Sequence, residues 1–248
     1  MIAAPGSESP AARRRRVVAI AAALEKEYAL PHSPRAKPST LIRPGAPPAG
    51  KPLDVLIATI LSQNTSDVNS GLAWARLRER FPSWNQVADA DVRAIAAAIR
   101  PGGLSNVKAP RIKHILRHIG RERGRLSLDF LAHMSDGEAR DYLLALPGVG
   151  LKTANVVLLF ALDRQVFPVD THVLRVARRL GLIGPKVCAD RAHGELEPLV
   201  PPPRRRALHL NLIAHGRQVC KARCPQCPRC PLDRAALCPY PRRERRWV

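Results

Sequence analysis

Leu146-Pro147-Gly148-Val149-Gly150-Leu151-Lys152-Thr153-Ala154-Asn155-Val156-Val157 (LPGVGLKTANVV) is the stretch from which the rest of this chain is read. Its first half is a turn: Pro147 fixes its own φ, and Gly148 and Gly150 are free to take positive φ. Its second half is an apolar helix opening near Gly150, with Lys152 in the first turn. The start of a helix presents unsatisfied N–H groups and the positive end of the dipole. Without a Cβ at Gly148 or Gly150, an anion has room to approach that backbone. Many helix–helix turns contain Gly and Pro and do nothing more. Here, however, Val169-Asp170-Thr171-His172 follows closely and sets a carboxylate at a second helix start. An amine and a carboxylate, each at a helix N-terminus, suit nucleophilic work on an anionic polymer.

Composition agrees with a polyanionic partner. The 248 residues carry 41 Lys and Arg against 20 Asp and Glu, a formal net charge of +21. Such an excess implies phosphate contacts that dominate affinity. Abundant Ala, Arg and Pro also fit a GC-rich coding bias, so charge supports nucleic acid without proving it. Aromatic residues make up 4%, too few for broad base-stacking platforms on single strands.

Outward from the hairpin the chain reads as helix after helix. Residues 53–63 form an apolar run, and Asp67 is placed as the N-cap of a helix through Arg80. An Ala-rich helix over 89–100 stops at Pro101-Gly102-Gly103, and another spans about 108–120. Ser135-x-x-Glu138 forms a capping box for the helix ending at Leu146. Further helices cover 151–163, 171–181, 189–197 and 204–216. No stretch alternates as a strand, so the fold class is all-α. At the N-terminus, Arg13–Arg16 before an apolar run imitates a signal peptide, but the run ends in Glu25-Lys26-Glu27. Val17, Ile20, Ala21, Leu24 and Tyr28 fall at helical spacing instead. Residues 1–12 read as disordered, and Pro31 to Pro52 as a Pro-rich connector. No segment is long enough to span a membrane.

Five of the six cysteines fall between 220 and 238. Cys220-x6-Cys227-x2-Cys230-x7-Cys238 places four thiols on one short loop, suiting a [4Fe–4S] cube or a tetrahedral zinc. Cys224 complicates the set, because Cys224-x2-Cys227-x2-Cys230 is ligand-like too. Cys188 stands alone and reads as a plain small residue.

These motifs together resemble endonuclease III, in the helix-hairpin-helix superfamily of DNA glycosylases. The resemblance rests on LPGVGLKTANVV, on VDTH at 169–172, on HGRQVC at 215–220 and on the cysteines after it. ILSQNTSDVN at 60–69 and GLSNVKA at 103–109 look like that family's DNA-contacting loops. It covers roughly residues 54–240. It implies two lobes: a six-helix domain over 54–164 with the hairpin, and a cluster-bearing helical domain of 17–53 plus 165–248. Residues 1–16 would be a disordered basic tail, and the active site would lie in the cleft between the lobes. Matching HGRQVC assigns Cys220, Cys227, Cys230 and Cys238 to a structural [4Fe–4S] cluster and leaves Cys224 spare. The usual last gap in the family is five residues, so Cys238 sits two positions late.

The chemistry implied is bifunctional. A base is flipped from duplex DNA, and Lys152, as a neutral amine, attacks the sugar C1′. The Schiff base then permits β-elimination at an abasic (AP) site. Asp170 stabilises the charge developing on the sugar, besides its ordinary use as a helix N-cap. By resemblance Gln63 fills the gap left by the flipped nucleotide and Leu104 wedges between bases of the other strand. Gly148 and Gly150 meet the phosphate backbone, and His172 touches a phosphate. The implied partner is duplex DNA with a damaged base or abasic site, bound by a monomer in the bacterial cytoplasm and nucleoid, with oxidised pyrimidines as substrates. Two alternatives stand beside this. A mispair glycosylase would carry glutamate at Thr59 or tyrosine at Lys152, and neither is present. A catalytically weak lesion-sensing paralogue would keep hairpin and cluster without turnover.

Overall fold

The computed structural model describes residues 8–28 and 50–240. The chain divides into two compact units, one of Lys37–Arg164 and one of Met1–Ala36 with Gln165–Val248. Every regular element among the described residues is helical. The Pro31–Pro52 connector lies mostly outside the described residues.

The first unit is built around its two most apolar helices. In α2 (Pro52–Leu61) every residue except Asp54 is buried. A helix that is apolar all round is stable only at the centre of a core. Its main neighbour is α8 (Leu151–Ala161), buried from Thr153 to Leu159. Around them run α3 (Asp67–Arg80), α4 (Trp84–Asp89), α5 (Val92–Ile99), α6 (Ser105–Arg123) and α7 (Asp136–Leu144). That makes seven α-helices among the described residues rather than six, the addition being the short α4, which the sequence reading did not place. The Ala-rich helix starts later than expected, at Val92, because Asp91 takes extended backbone and caps it, accepting from Arg93 N–H at 2.6 Å.

Short side chains set most of these starts. Ser66, not Asp67, is the N-cap of α3, its hydroxyl accepting from Asn69 N–H; Asp67 is the first helical residue. The Ser135–Glu138 capping box is present at α7, and a second joins Ser83 to Gln86 at α4. Helix α6 begins earlier than expected, because the Leu104 carbonyl already accepts from the amides of Val107 and Lys108.

The second unit pairs segments far apart in sequence. Helix α1 (Pro10–Tyr28) lies on α11 (Arg205–Gln218), which also packs on α9 (Thr171–Arg179). Val17, Ile20, Ala21 and Leu24 meet Val173, Val176, Leu208 and Leu212 in one core. Pro10–Arg16 are therefore helical, which corrects the disordered reading for that stretch. Arg16 is held at 2.7 Å by Glu8 and donates to the Leu180 carbonyl. Helices α10 (Ala189–Leu196) and α12 (Pro231–Arg234) complete the unit. No helix among the described residues is long and apolar enough to cross a membrane.

Candidate functional site

The hairpin between α7 and α8 is a tight turn with a defined division of labour. Val149 N–H donates to the Leu146 carbonyl, with Pro147 and Gly148 as the two central residues. Gly148 has φ +73°, the value a type II turn requires at its third position. A second constraint was invisible in the sequence: a Cβ on Gly148 would fall 2.2 Å from Nε of Arg111. Gly148 is thus glycine for its φ and for an arginine packed over it. Gly150 behaves otherwise than expected. Its φ is −102°, it caps α8 without a side chain, and a Cβ there would meet nothing within 4 Å. Having no side chain, Gly150 makes no cap hydrogen bond at the α8 N-terminus, the helix end that suits an anion.

Lys152 is the second residue of α8 and half-buried. Asp170 belongs to the other unit, where it is the N-cap of α9 and accepts from Val173 N–H at 2.7 Å. Its backbone is extended, with the buried Val169 amide held by His193 Nε2 at 3.0 Å. His172 lies in the first turn of α9, and its Nδ1 is 3.1 Å from Arg175 Nη2. The ring also packs on Gly216, where a Cβ would be 3.0 Å from the His172 Cβ.

Three exposed positions in the hairpin unit hold left-handed backbone without being glycine: Asn64 (φ +53°), Leu104 (φ +50°) and Asp163 (φ +54°). Leu104 is the apolar one, 53% exposed at a backbone geometry that costs roughly 1–2 kcal/mol in a residue other than glycine. Gln63 is tied down instead. Its Nε2 donates to Gly148 O at 3.3 Å and lies 3.4 Å from Thr153 Oγ1, while its Oε1 accepts from Arg111 at 3.2 Å.

The cysteine loop gathers four thiols. Cys220, Cys227, Cys230 and Cys238 line one small cavity with Val176, His215 and Tyr240; Cys224 is exposed and outside it. The longer gap before Cys238 is taken up by α12 and a turn at Ala236 (φ +53°), closed by Leu237 N–H to Leu232 O. Burial, with repulsion from the neighbouring thiols, pushes Cys238 up to about 12 and raises Cys230 as well. His215, buried beside Cys230 and hydrogen-bonded to Tyr28, is lowered to about 4 by desolvation. Among the described residues no three His, Cys, Asp or Glu side chains form a site for a single metal ion.

Two arginines absent from the sequence reading hold this loop. Arg175 donates to Gly216 O and Cys220 O. Arg179 reaches Cys220 Sγ at 3.3 Å and the carbonyls of Lys221 and Ala222, with its guanidinium over the Tyr240 ring. Their spacing of four on α9 puts both on one face, but nothing in the sequence ties that face to the cysteines.

A two-lobed all-α fold with a hairpin-borne lysine is the architecture of helix-hairpin-helix glycosylases. The chain belongs to the HhH-GPD superfamily of base excision DNA repair proteins, which matches residues 57–202. It is 40% identical over 165 residues to a candidate DNA glycosylase of Arabidopsis thaliana, covering 66% of this chain and 56% of that protein. With endonuclease III of Sulfolobus acidocaldarius it shares 37% identity over 177 residues, 71% of this chain and 77% of that one. The structure of an endonuclease III trapped on DNA as a covalent intermediate superposes with a TM-score of 0.74 at 28% identity. That match covers 93% of this chain and 98% of the other.

Proposed function

We propose that this chain is a DNA N-glycosylase with β-elimination AP lyase activity, acting on oxidised pyrimidines in duplex DNA as a monomer. The observation that carries the reading is Lys152 in the first turn of α8, directly after the Pro-Gly turn. Asp170 supports it as the second group, a carboxylate fixed at the start of α9.

The chemistry proceeds in balanced steps. With the damaged base flipped out, the neutral Lys152 amine bonds to C1′ as the glycosidic C–N bond breaks, and the base departs with the electron pair and a proton. Asp170 stabilises positive charge developing on the sugar and helps take the proton lost from nitrogen. The C1′–O4′ bond then opens as nitrogen supplies its electron pair and O4′ takes up a proton, and the resulting protonated Schiff base acidifies the C2′ proton. Its removal expels the 3′ phosphate, and water then frees the lysine. Gly148 and Gly150 admit phosphate to the hairpin amides, Leu104 and Gln63 occupy the space that flipping opens, and His172 meets the backbone near α9. Retention of both Lys152 and Asp170 disfavours a silent lesion-sensing paralogue.

Cys220, Cys227, Cys230 and Cys238 would hold a [4Fe–4S] cluster. Four thiols lining one cavity, of which Cys230 and Cys238 are buried and raised by desolvation and their neighbours, form a donor set that suits a compensating cationic group. A single tetrahedral zinc would draw its sulfurs to about 3.8 Å from one another, given a Zn–S distance of about 2.3 Å. The resemblance of HGRQVC and the cysteines after it to endonuclease III favours the cube over zinc. Bound there, the cluster supplies cross-links that fold a basic loop containing Lys221, Arg223 and Arg229 into a phosphate-facing surface. We place the protein in the cytoplasm, on the nucleoid.

The deciding experiment uses a panel of lesion-bearing and abasic duplexes, scoring base release and strand cleavage separately. Wild-type protein releases oxidised pyrimidines, cuts abasic sites and is trapped on them by borohydride. Lys152→Ala loses cleavage and trapping while binding abasic DNA almost as tightly, since hairpin amides and basic side chains supply the affinity. Equal trapping of both proteins would move the nucleophile elsewhere.

A further inference from the structure

One buried lysine joins the loop that carries Asn64 to the loop that carries Leu104, both exposed at left-handed backbone. Lys108, in the first turn of α6, is only 2% exposed. Its Nζ donates to Leu61 O at 2.8 Å and to Gly102 O at 2.9 Å. Leu61 is the last residue of α2, directly before Ser62-Gln63-Asn64, and Gly102 directly precedes Gly103-Leu104. Both acceptors are carbonyls at the C-terminal ends of short helices, where partial negative charge gathers.

Burying an ammonium is unfavourable unless it is fully partnered, and burial with the nearby Arg111 guanidinium lowers the Lys108 pKa. A leucine or methionine would fill the same volume without that cost. The amine therefore marks a requirement for its two hydrogen bonds rather than for packing. The loops themselves are close: a Cβ on Gly102 would touch Ala73 at 3.0 Å and Leu61 O at 3.6 Å. One turn further along α6, Arg111 grips Gln63 and lies over Gly148, extending the same helix to the hairpin.

We infer that Lys108 is a positioning residue that sets the separation of the 62–66 and 102–104 loops, so that their side chains enter the duplex together when a base is flipped. The inference rests on the glycosylase reading for its consequence, but not for its geometry. Lys108 touches no reacting atom, so its loss should be felt where flipping is needed and spared where no base remains.

Lys108→Met keeps the bulk and removes the donors. Base release from a lesion duplex falls roughly tenfold or more, while cleavage of a preformed abasic site changes by less than about threefold. Lys108→Arg, which keeps the donors, recovers most of the base release. Hydrogen exchange read on the same proteins shows the amides of Ser62, Gln63, Gly103 and Val107, all hydrogen-bonded in the native loops, losing protection together in Lys108→Met, with α8 unchanged. Parallel loss of both activities, or unaltered exchange at either loop, overturns the inference. Should Lys108→Met fail to fold, Lys108→Gln, neutral and with a shorter arm, is read by the same ratio. A wild-type protein inactive on every duplex would sink the glycosylase reading, and the exchange measurement would still decide the clamp.

Discussion

Asp170 commits one carboxylate oxygen to the Val173 amide, and this lets its two roles be separated by substitution. Asparagine caps a helix as well as aspartate does, whereas alanine forfeits about 1 kcal/mol. Asp170→Asn should therefore melt with the wild type, and Asp170→Ala should melt a few degrees lower. If the charge acts on the sugar, both variants lose base release about a hundredfold. Borohydride trapping on preformed abasic sites should persist in both, because Lys152 remains. Full base release by Asp170→Asn would leave the residue as a cap alone. The same scale shows what the sequence carries and what it hides. The places of Lys152 and Asp170 at helix starts were legible, because the Pro-Gly turn and a capping aspartate are local signals. Gly148 was half legible: its φ follows from the Pro-Gly turn, but Arg111 lies over it from a helix far upstream in the chain. Gly150 shows no positive φ, so its role is open space rather than conformation. For His172 the resemblance implies a phosphate contact, and only the fold reveals Arg175 beside it.

Among the elements, the helices were the readable part, since apolar period and cap residues are local properties. The errors fell where two signals compete. Ser66 and Asp67 are adjacent capping types, and extended backbone at Ser66 decides between them. The Ala-rich helix starts at Val92 and not at Asp89, because extended backbone at Asp91 makes that residue its cap. The cysteine loop is the opposite case, because spacing alone allowed Cys224 to compete as a ligand. Its exposure and φ of +50° set it apart from the four thiols that share a cavity. Purified protein should accordingly be brown and contain about four irons per chain. Cys220→Ser, Cys227→Ser, Cys230→Ser and Cys238→Ser should each lose colour and melt early, as Arg175 and Arg179 then hold a loop without its centre. Cys224→Ser and Cys188→Ser should keep both colour and stability. A colourless Cys224→Ser, read by absorbance and iron content, would mean a different quartet binds the cluster.

At the scale of the whole molecule, the charge has two competing origins. A GC-rich coding bias raises arginine everywhere, whereas selection for DNA concentrates it where phosphates lie. The division into units was only partly legible, because α1 joins α11 across most of the sequence and no local pattern announces such a pairing. Many of the arginines prove to be occupied: Arg175, Arg178, Arg179 and Arg205 each donate to backbone carbonyls. A backbone carbonyl satisfies a donor without carrying a formal negative charge, so such contacts do not by themselves remove these residues from the field around the protein. Salt dependence separates the two origins. If the net charge of +21 serves DNA, affinity for undamaged duplex should fall steeply and linearly in log–log form as salt rises. For about six phosphate contacts the loss between roughly 50 and 200 mM salt is on the order of a thousandfold. Lys152→Ala, which removes at most one such contact, should leave the slope almost unchanged. A shallow slope, with affinity reduced less than about tenfold over that range, would assign most of the arginines to composition and confine phosphate binding to the hairpin amides.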